Sequence, residues 1–141
     1  MDSLFAAIVL WLSANLNLPA IQDYPRIERV PSMASVALRL GERALPTVSG
    51  REFEALYDDR SRTIYVPQSW TGTTPKEVSV LVHEMVHHVQ NVAGLEYDCA
   101  EAREKPAYVA QEKWLALTGR NLAEEFDLDL MTVLVRTRCM H

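Results

Sequence analysis

The sequence predicts an α+β fold, a small antiparallel sheet packed against helices, in one domain spanning residues 1–141. Three observations predict it. The chain is 141 residues long, 48% hydrophobic and 23% charged, enough for one modest core. Residues 52–57 and 62–66 alternate apolar and polar side chains around the polar turn 58–61, the pattern of a hairpin. Val78, Leu81, Val82, Met85 and Val89 recur instead at helical spacing.

Residues 2–17 open on Asp2, a capping type, and run apolar over 4–12. This predicts a buried first helix with Leu4, Ile8, Trp11 and Leu12 facing the core. The run is too short to span a bilayer and lacks the positive flank of an export signal. Leu18-Pro19 stops it. Residues 25–31, bounded by Pro25 and Pro31, read as a short strand. Ser32 caps a helix over 33–40 that Gly41 ends, and residues 45–50 read as a loop. After the hairpin, Trp70 is expected as an aromatic anchor in the core, the alternative being a place lining the cleft.

Thr73 or Thr74, followed by Pro75 and Glu77, starts the helix that carries the apolar stripe. Gly94 turns the chain. The next helix continues through Tyr108, Gln111, Trp114 and Leu115 to Gly119. Its start is read in two ways: at Asp98, which places Pro106 in the interior, or near Arg103, which places Pro106 in the first turn. Residues 121–125 and 128–138 form the last helical region, with Leu130, Met131, Leu134 and Val135 as its core face. Glu124, Glu125, Asp127 and Asp129 form a solvated face without the glycine and spacing of a calcium loop.

Fourteen Lys and Arg against 19 Asp and Glu give a net charge of -5. With no basic run and no aromatic–basic interleaving, nothing in the chain suits a phosphate backbone, and nucleic acid is not an expected partner. The two cysteines, Cys99 and Cys139, form no Cys-x-x-Cys motif. A bridge between them would pin the C-terminal helix and favour an oxidising compartment; the missing export signal and two unpaired thiols would favour the cytoplasm.

The stretch that carries chemistry is His83-Glu84-Met85-Val86-His87. Residues four apart on a helix lie one above the other, so both imidazoles can reach one metal ion while Glu84 stands beside them. A catalytic Zn²⁺ takes three protein ligands and keeps its fourth position for water, and Glu84 is placed to accept that water's proton. His88 lies roughly 100° round the helix from His87 and is expected at the surface or behind the ligands. The third ligand should come from the next helix, where Glu104 and Glu101 are the candidates. Asp98 and Glu101 stand as a capping box, which occupies Glu101 and leaves Glu104 freer to face the metal. Tyr97 is a candidate donor to a developing oxyanion, and Tyr57, Tyr65 and Tyr108 are equally so, each otherwise a packing residue.

With His-Glu-x-x-His followed by Glu104-Lys-Pro-Ala107-Tyr108, the chain resembles the gluzincin class of zinc metallopeptidases, in which a glutamate on a downstream helix completes the site. Tyr108 stands where several of those families have an aspartate that supports a ligand histidine. Residues 55–67, 81–90 and 103–115 also resemble an uncharacterised family of small bacterial zincin-like proteins, a domain of unknown function. The resemblance implies a minimal zincin-like domain with one Zn²⁺ held by His83, His87 and Glu104, Glu84 as general base, and a peptide or protein as substrate. In zincins an edge strand over the cleft pairs with an extended substrate, and the hairpin before the metal helix either takes that place or merely covers the helix, since the sequence does not show which strand is the edge.

Overall fold

The alternation in residues 52–67 produces two antiparallel strands, β3 (Glu52–Asp58) and β4 (Thr63–Pro67), with Tyr57 opposite Ile64. Their turn is held by Asp58, whose buried carboxylate accepts from the Arg43 guanidinium at 2.9 Å and the Ser61 hydroxyl at 2.7 Å. Burial pushes the Asp58 carboxyl up, but the bonds from Arg43, Ser61 and the Arg60 N–H outweigh it and hold the group below its ordinary range.

The computed structural model describes residues 1–49 and 52–139. Around the hairpin it orders α1 (Asp2–Leu16), β1 (Arg26–Val30), α2 (Met33–Leu40), a 3-10 turn (Gly41–Arg43) and β2 (Ala44–Ser49) before it. After it come α3 (Pro75–Val92), α4 (Ala100–Ala116), α5 (Leu122–Phe126) and α6 (Leu130–Thr137). The fold is α+β, as expected. Among the described residues no helix is long and apolar enough to cross a membrane.

The sheet departs from expectation in two ways. Its order is β1-β4-β3-β2, and β1 runs parallel to β4, so the sheet is mixed and not antiparallel. The stretch read as a loop is β2, paired antiparallel with β3; Gly50, the last residue of that reading, lies outside the described residues. Pro46 lacks an N–H and argues against a strand, but an edge strand leaves one row of donors unused and tolerates it. The hairpin strands are consequently interior to the sheet, and neither is an edge.

Side chains of β3 and β4 alternate between two cores, as a sheet covered on both faces requires. Ala55, Tyr57, Ile64 and Val66 join α1, α3 and α4 in the larger core. Leu56 and Tyr65 meet Val36 and Leu40 of α2 on the other face. In α1 the core side is Phe5, Ile8, Val9 and Leu12; Leu4 and Trp11 are half-buried, with Trp11 edge-on to Trp114 at 5.0 Å between centroids. Trp70 is buried in the same core.

Helix α4 is capped by Cys99, whose sulfur accepts from the Ala102 N–H at 3.3 Å, and not by Asp98; the capping box with Glu101 does not form. The helix runs unbroken through Pro106, so the start near Arg103 is excluded and the Ala102 carbonyl loses its usual helical donor. The core face expected on α6 is wrong. Leu130 is 75% exposed and Met131 68%, while Val133 and Thr137 make the contact with the rest of the fold. An Arg136–Tyr108 hydrogen bond ties α6 to α4, a disulfide joins Cys99 at the start of α4 to Cys139 just past α6 with Cα atoms 5.8 Å apart, and Val133 packs against the larger core. The acidic residues near α6 serve locally: Asp129 caps it and accepts from the Thr132 N–H at 2.7 Å, and Glu125 pairs with Arg120.

Candidate metal centre

Helix α3 starts where the sequence signals it. Thr74 accepts from the Glu77 N–H at 3.1 Å, and Pro75 occupies the first turn. From Ser79 to Gln90 every residue is buried, because the helix lies between the sheet on one side and α4 on the other. The face that carries His83 and His87 therefore meets α4 and not solvent.

There the two rings converge on Glu104. His83 Nε2 lies 3.0 Å from one carboxylate oxygen and His87 Nε2 lies 2.9 Å from the other. One candidate ligand atom from each of the three residues falls within 4.8 Å of the others, so the group could hold a metal ion. Both histidines are fully buried and Glu104 is 16% exposed. Burial pushes the Glu104 carboxyl up, but the neighbouring His87 and His83 outweigh it and hold the group far below its ordinary range. Glu101, the other candidate, is not in the cluster.

The far sides of the rings test whether a cation fits. His83 Nδ1 lies 2.9 Å from Gln111 Oε1, and His87 Nδ1 lies 2.9 Å from Gln90 Oε1. The amide of Gln111 is oriented by Ser79: its nitrogen donates to the Ser79 hydroxyl at 3.3 Å, which donates in turn to the Lys76 carbonyl at 2.7 Å. The oxygen of Gln111 is thus the end facing His83, and that Nδ1 carries the proton. A neutral imidazole has one N–H and cannot also donate to Glu104. In that tautomer Nε2 offers a lone pair, which suits it to ligate a cation, as in metal sites where an outer hydrogen bond fixes the ligand tautomer. His87 Nε2, despite its distance to Glu104, makes no hydrogen bond of acceptable geometry and is a buried polar atom awaiting a partner.

Glu84 is fully buried on α3, one residue past His83. The Tyr108 ring lies edge-on to His83 at 4.7 Å between centroids, and its hydroxyl accepts from Arg136 at 3.2 Å. Burial pushes the Tyr108 phenol up, Arg136 opposes this, and the charges of Glu104 and Glu84 add to it, so the phenol stays protonated at neutral pH. Ala44 and Leu45 of β2, Glu101, Glu104, Tyr108 and Arg136 line a cavity of about 470 Å³. Of the three cluster residues, Glu104 borders it. Tyr97 lines a different cavity, of about 360 Å³, together with Asp59, Asn91 and Arg103.

His88 is neither at the surface nor a fourth member of the cluster. It is fully buried against β3, with Nδ1 2.8 Å from the Tyr57 hydroxyl and Nε2 2.6 Å from the Asp23 carbonyl. Burial pushes His88 down and raises Tyr57 to about 12, so a neutral ring accepts from a protonated phenol. Neither glutamine was assigned a role at the site from the sequence. Gln90 had a signal, since it stands three residues after His87 on the same helical face; Gln111, 28 residues from His83, had none.

The whole chain, residues 1–141, matches the family described as "Domain of unknown function (DUF6647)", and the chain belongs to that family. No curated protein and no solved structure matches it.

Proposed function

We propose that this member of the domain-of-unknown-function family is a zinc-dependent hydrolase, foremost a metallopeptidase, with the ligand set of the gluzincin class that the sequence resembles. The observation that carries the reading is the convergence of His83, His87 and Glu104 within 4.8 Å, with Glu84 adjacent on the same helix. His83, His87 and Glu104 would hold one Zn²⁺. When bound, the ion supplies Lewis acidity toward water and toward a carbonyl. Two imidazoles and a carboxylate also accept other divalent ions.

The remaining work falls to side chains of this chain. Glu84 takes a proton from the attacking water on its carboxylate and returns it to the leaving amine. Tyr108, protonated and held by Arg136, is the candidate donor to a developing oxyanion, a role that suits it better than Tyr97 in its separate cavity. The edge that can add an extended peptide is β2, which borders the cavity beside Glu104 and pairs only with β3 among the described residues.

Burial of both histidines favours a second reading, a zinc-stabilised binding or regulatory module that does not turn over. Glu84 weighs against it, because such a module has no use for a base beside the metal. The test is cleavage of a mixed peptide library by zinc-loaded protein, read by mass spectrometry beside Glu84→Gln. Cleavage that disappears in the variant supports the peptidase. Zinc-loaded protein that cuts nothing supports the silent module, and equal cleavage by both proteins refutes the role of Glu84.

A further inference from the structure

We infer that Arg103, clamped by Asp59, is a positioning residue for the metal centre: it fixes the amide of Gln90 and, through it, the ring of His87. The inference rests on the metal reading above. A guanidinium only donates, so the Gln90 atom 2.9 Å from Arg103 Nε is the amide oxygen. A backbone carbonyl only accepts, so the Gln90 atom 2.9 Å from the Arg103 carbonyl is the amide nitrogen. One residue thus holds both ends of the amide, and the amide cannot flip without losing both bonds.

With Gln90 Oε1 held in place, His87 Nδ1 at 2.9 Å must be the donor. A neutral ring protonated at Nδ1 presents its lone pair at Nε2, on the side of His83 and Glu104. Arg103 grips the same residue a second time, since its Nη2 donates to the His87 carbonyl at 3.1 Å. Ring and backbone of the ligand are therefore tied to one guanidinium.

The guanidinium is itself fixed from outside α3 and α4. Asp59, in the β3–β4 turn and 44 residues from Arg103 in sequence, receives Nη1 and Nη2 at 2.7 Å each. A bidentate pair of this kind sets orientation as well as charge, which a lysine ammonium does not reproduce. The Arg103 side chain is 19% exposed and that of Asp59 is 40% exposed, so the clamp reaches from the surface to the buried ligand. The other histidine is held differently, by the neutral chain from Gln111 through Ser79 to the Lys76 carbonyl. Loss of the clamp should therefore act on the His87 half of the site.

The experiment measures Co²⁺ and Zn²⁺ affinity by competition, with the visible absorption of the cobalt form as a reporter of ligand geometry, in Arg103→Met, Arg103→Lys, Asp59→Asn, Gln90→Ala and the Arg103→Met/Gln90→Ala double variant. Arg103→Met is expected to weaken binding about 10- to 100-fold and to alter the cobalt spectrum. Arg103→Lys, which keeps the charge and loses the fork, should follow it. Asp59→Asn should shift both readouts the same way by less, and it reads the clamp even if the Arg103 variants fail to fold. In the Gln90→Ala background, Arg103→Met should add less than it costs alone, because the route through the amide is already lost and only the bond to the His87 carbonyl remains to lose. Parent affinity and spectrum in Arg103→Met and Asp59→Asn, with a lowered melting temperature alone, would overturn the inference and leave a structural ion pair. An equal loss with and without Gln90 would overturn it too. A parent protein that takes up neither ion refutes the metal reading itself, and this inference falls with it.

Discussion

Replacing Gln111 by leucine separates the metal-bound protein from the metal-free one. Gln111 is 1% exposed, its oxygen lies 2.9 Å from His83 Nδ1, and its nitrogen lies 3.3 Å from the Ser79 hydroxyl. In the metal-bound state the His83 proton must sit on Nδ1, and with leucine at 111 that N–H points into hydrocarbon. A buried donor left without an acceptor costs about 1–3 kcal/mol. In the metal-free state the ring escapes the penalty by moving its proton to Nε2, 3.0 Å from Glu104. Ser79 keeps its own acceptor, the Lys76 carbonyl. The cost therefore falls on the bound state and weakens zinc about 5- to 150-fold, since each 1.4 kcal/mol or so is a factor of ten. Competition against a chromophoric chelator measures it, with Gln111→Glu as the variant that keeps an acceptor for Nδ1. Parent zinc affinity in Gln111→Leu would refute the reasoning, and so would an equal loss in Gln111→Glu.

Three further outcomes are expected. Chelation should lower the melting temperature: at free zinc 100 times the dissociation constant, binding contributes about 2.7 kcal/mol. With an unfolding entropy of about 0.3 kcal/mol per degree for 141 residues, that is a fall of about 9 °C by calorimetry, and an unchanged transition would argue that the histidines hold nothing. Cys99→Ser with Cys139→Ser should cost about 4 kcal/mol in the chain-entropy model for a sequence separation of 40, and chemical denaturation that finds less than about 1 kcal/mol would show α6 held by its other contacts. Asp58, whose pKa is lowered on folding, contributes stability that is present above its unfolded value near about 4 and lost as pH falls through the lower folded value. Urea midpoints of Asp58→Asn should accordingly lie below the parent near neutrality and converge with it in acid; a constant difference at every pH would assign the effect to packing.

Much of the candidate site was legible because its signals are local. Thr74, Pro75 and Glu77 mark the start of α3 within four residues, and the spacing of His83 and His87 places both rings on one face wherever the helix packs. Glu104 followed from the need for a third ligand on the next helix, although the capping-box argument behind it failed when Cys99 took the cap. The alternation in β3 and β4 was equally local. The errors share a cause as well. Pro46 speaks against a strand until one knows that β2 lies at an edge; the parallel pairing of β1 with β4 joins residues more than thirty positions apart; and the apolar residues of α6 have helical period whether they meet a core or solvent.

The amino-acid sequence by itself determined the helix that sets His83 and His87 on one face with Glu84 beside them, the hairpin and the two cysteines able to pair. Periodicity and capping need only neighbours within a turn or two of chain. Tertiary structure alone decided that β2 and not the hairpin borders the cavity, that His88 is locked between Tyr57 and Asp23, and that Gln90, Gln111, Arg103 and Asp59 orient the two rings. An amide or a guanidinium carries no pattern of its own; its role comes from which donor and which acceptor lie within about 3 Å of it, and those partners arrive from distant parts of the chain only when the helices and the sheet close on one another.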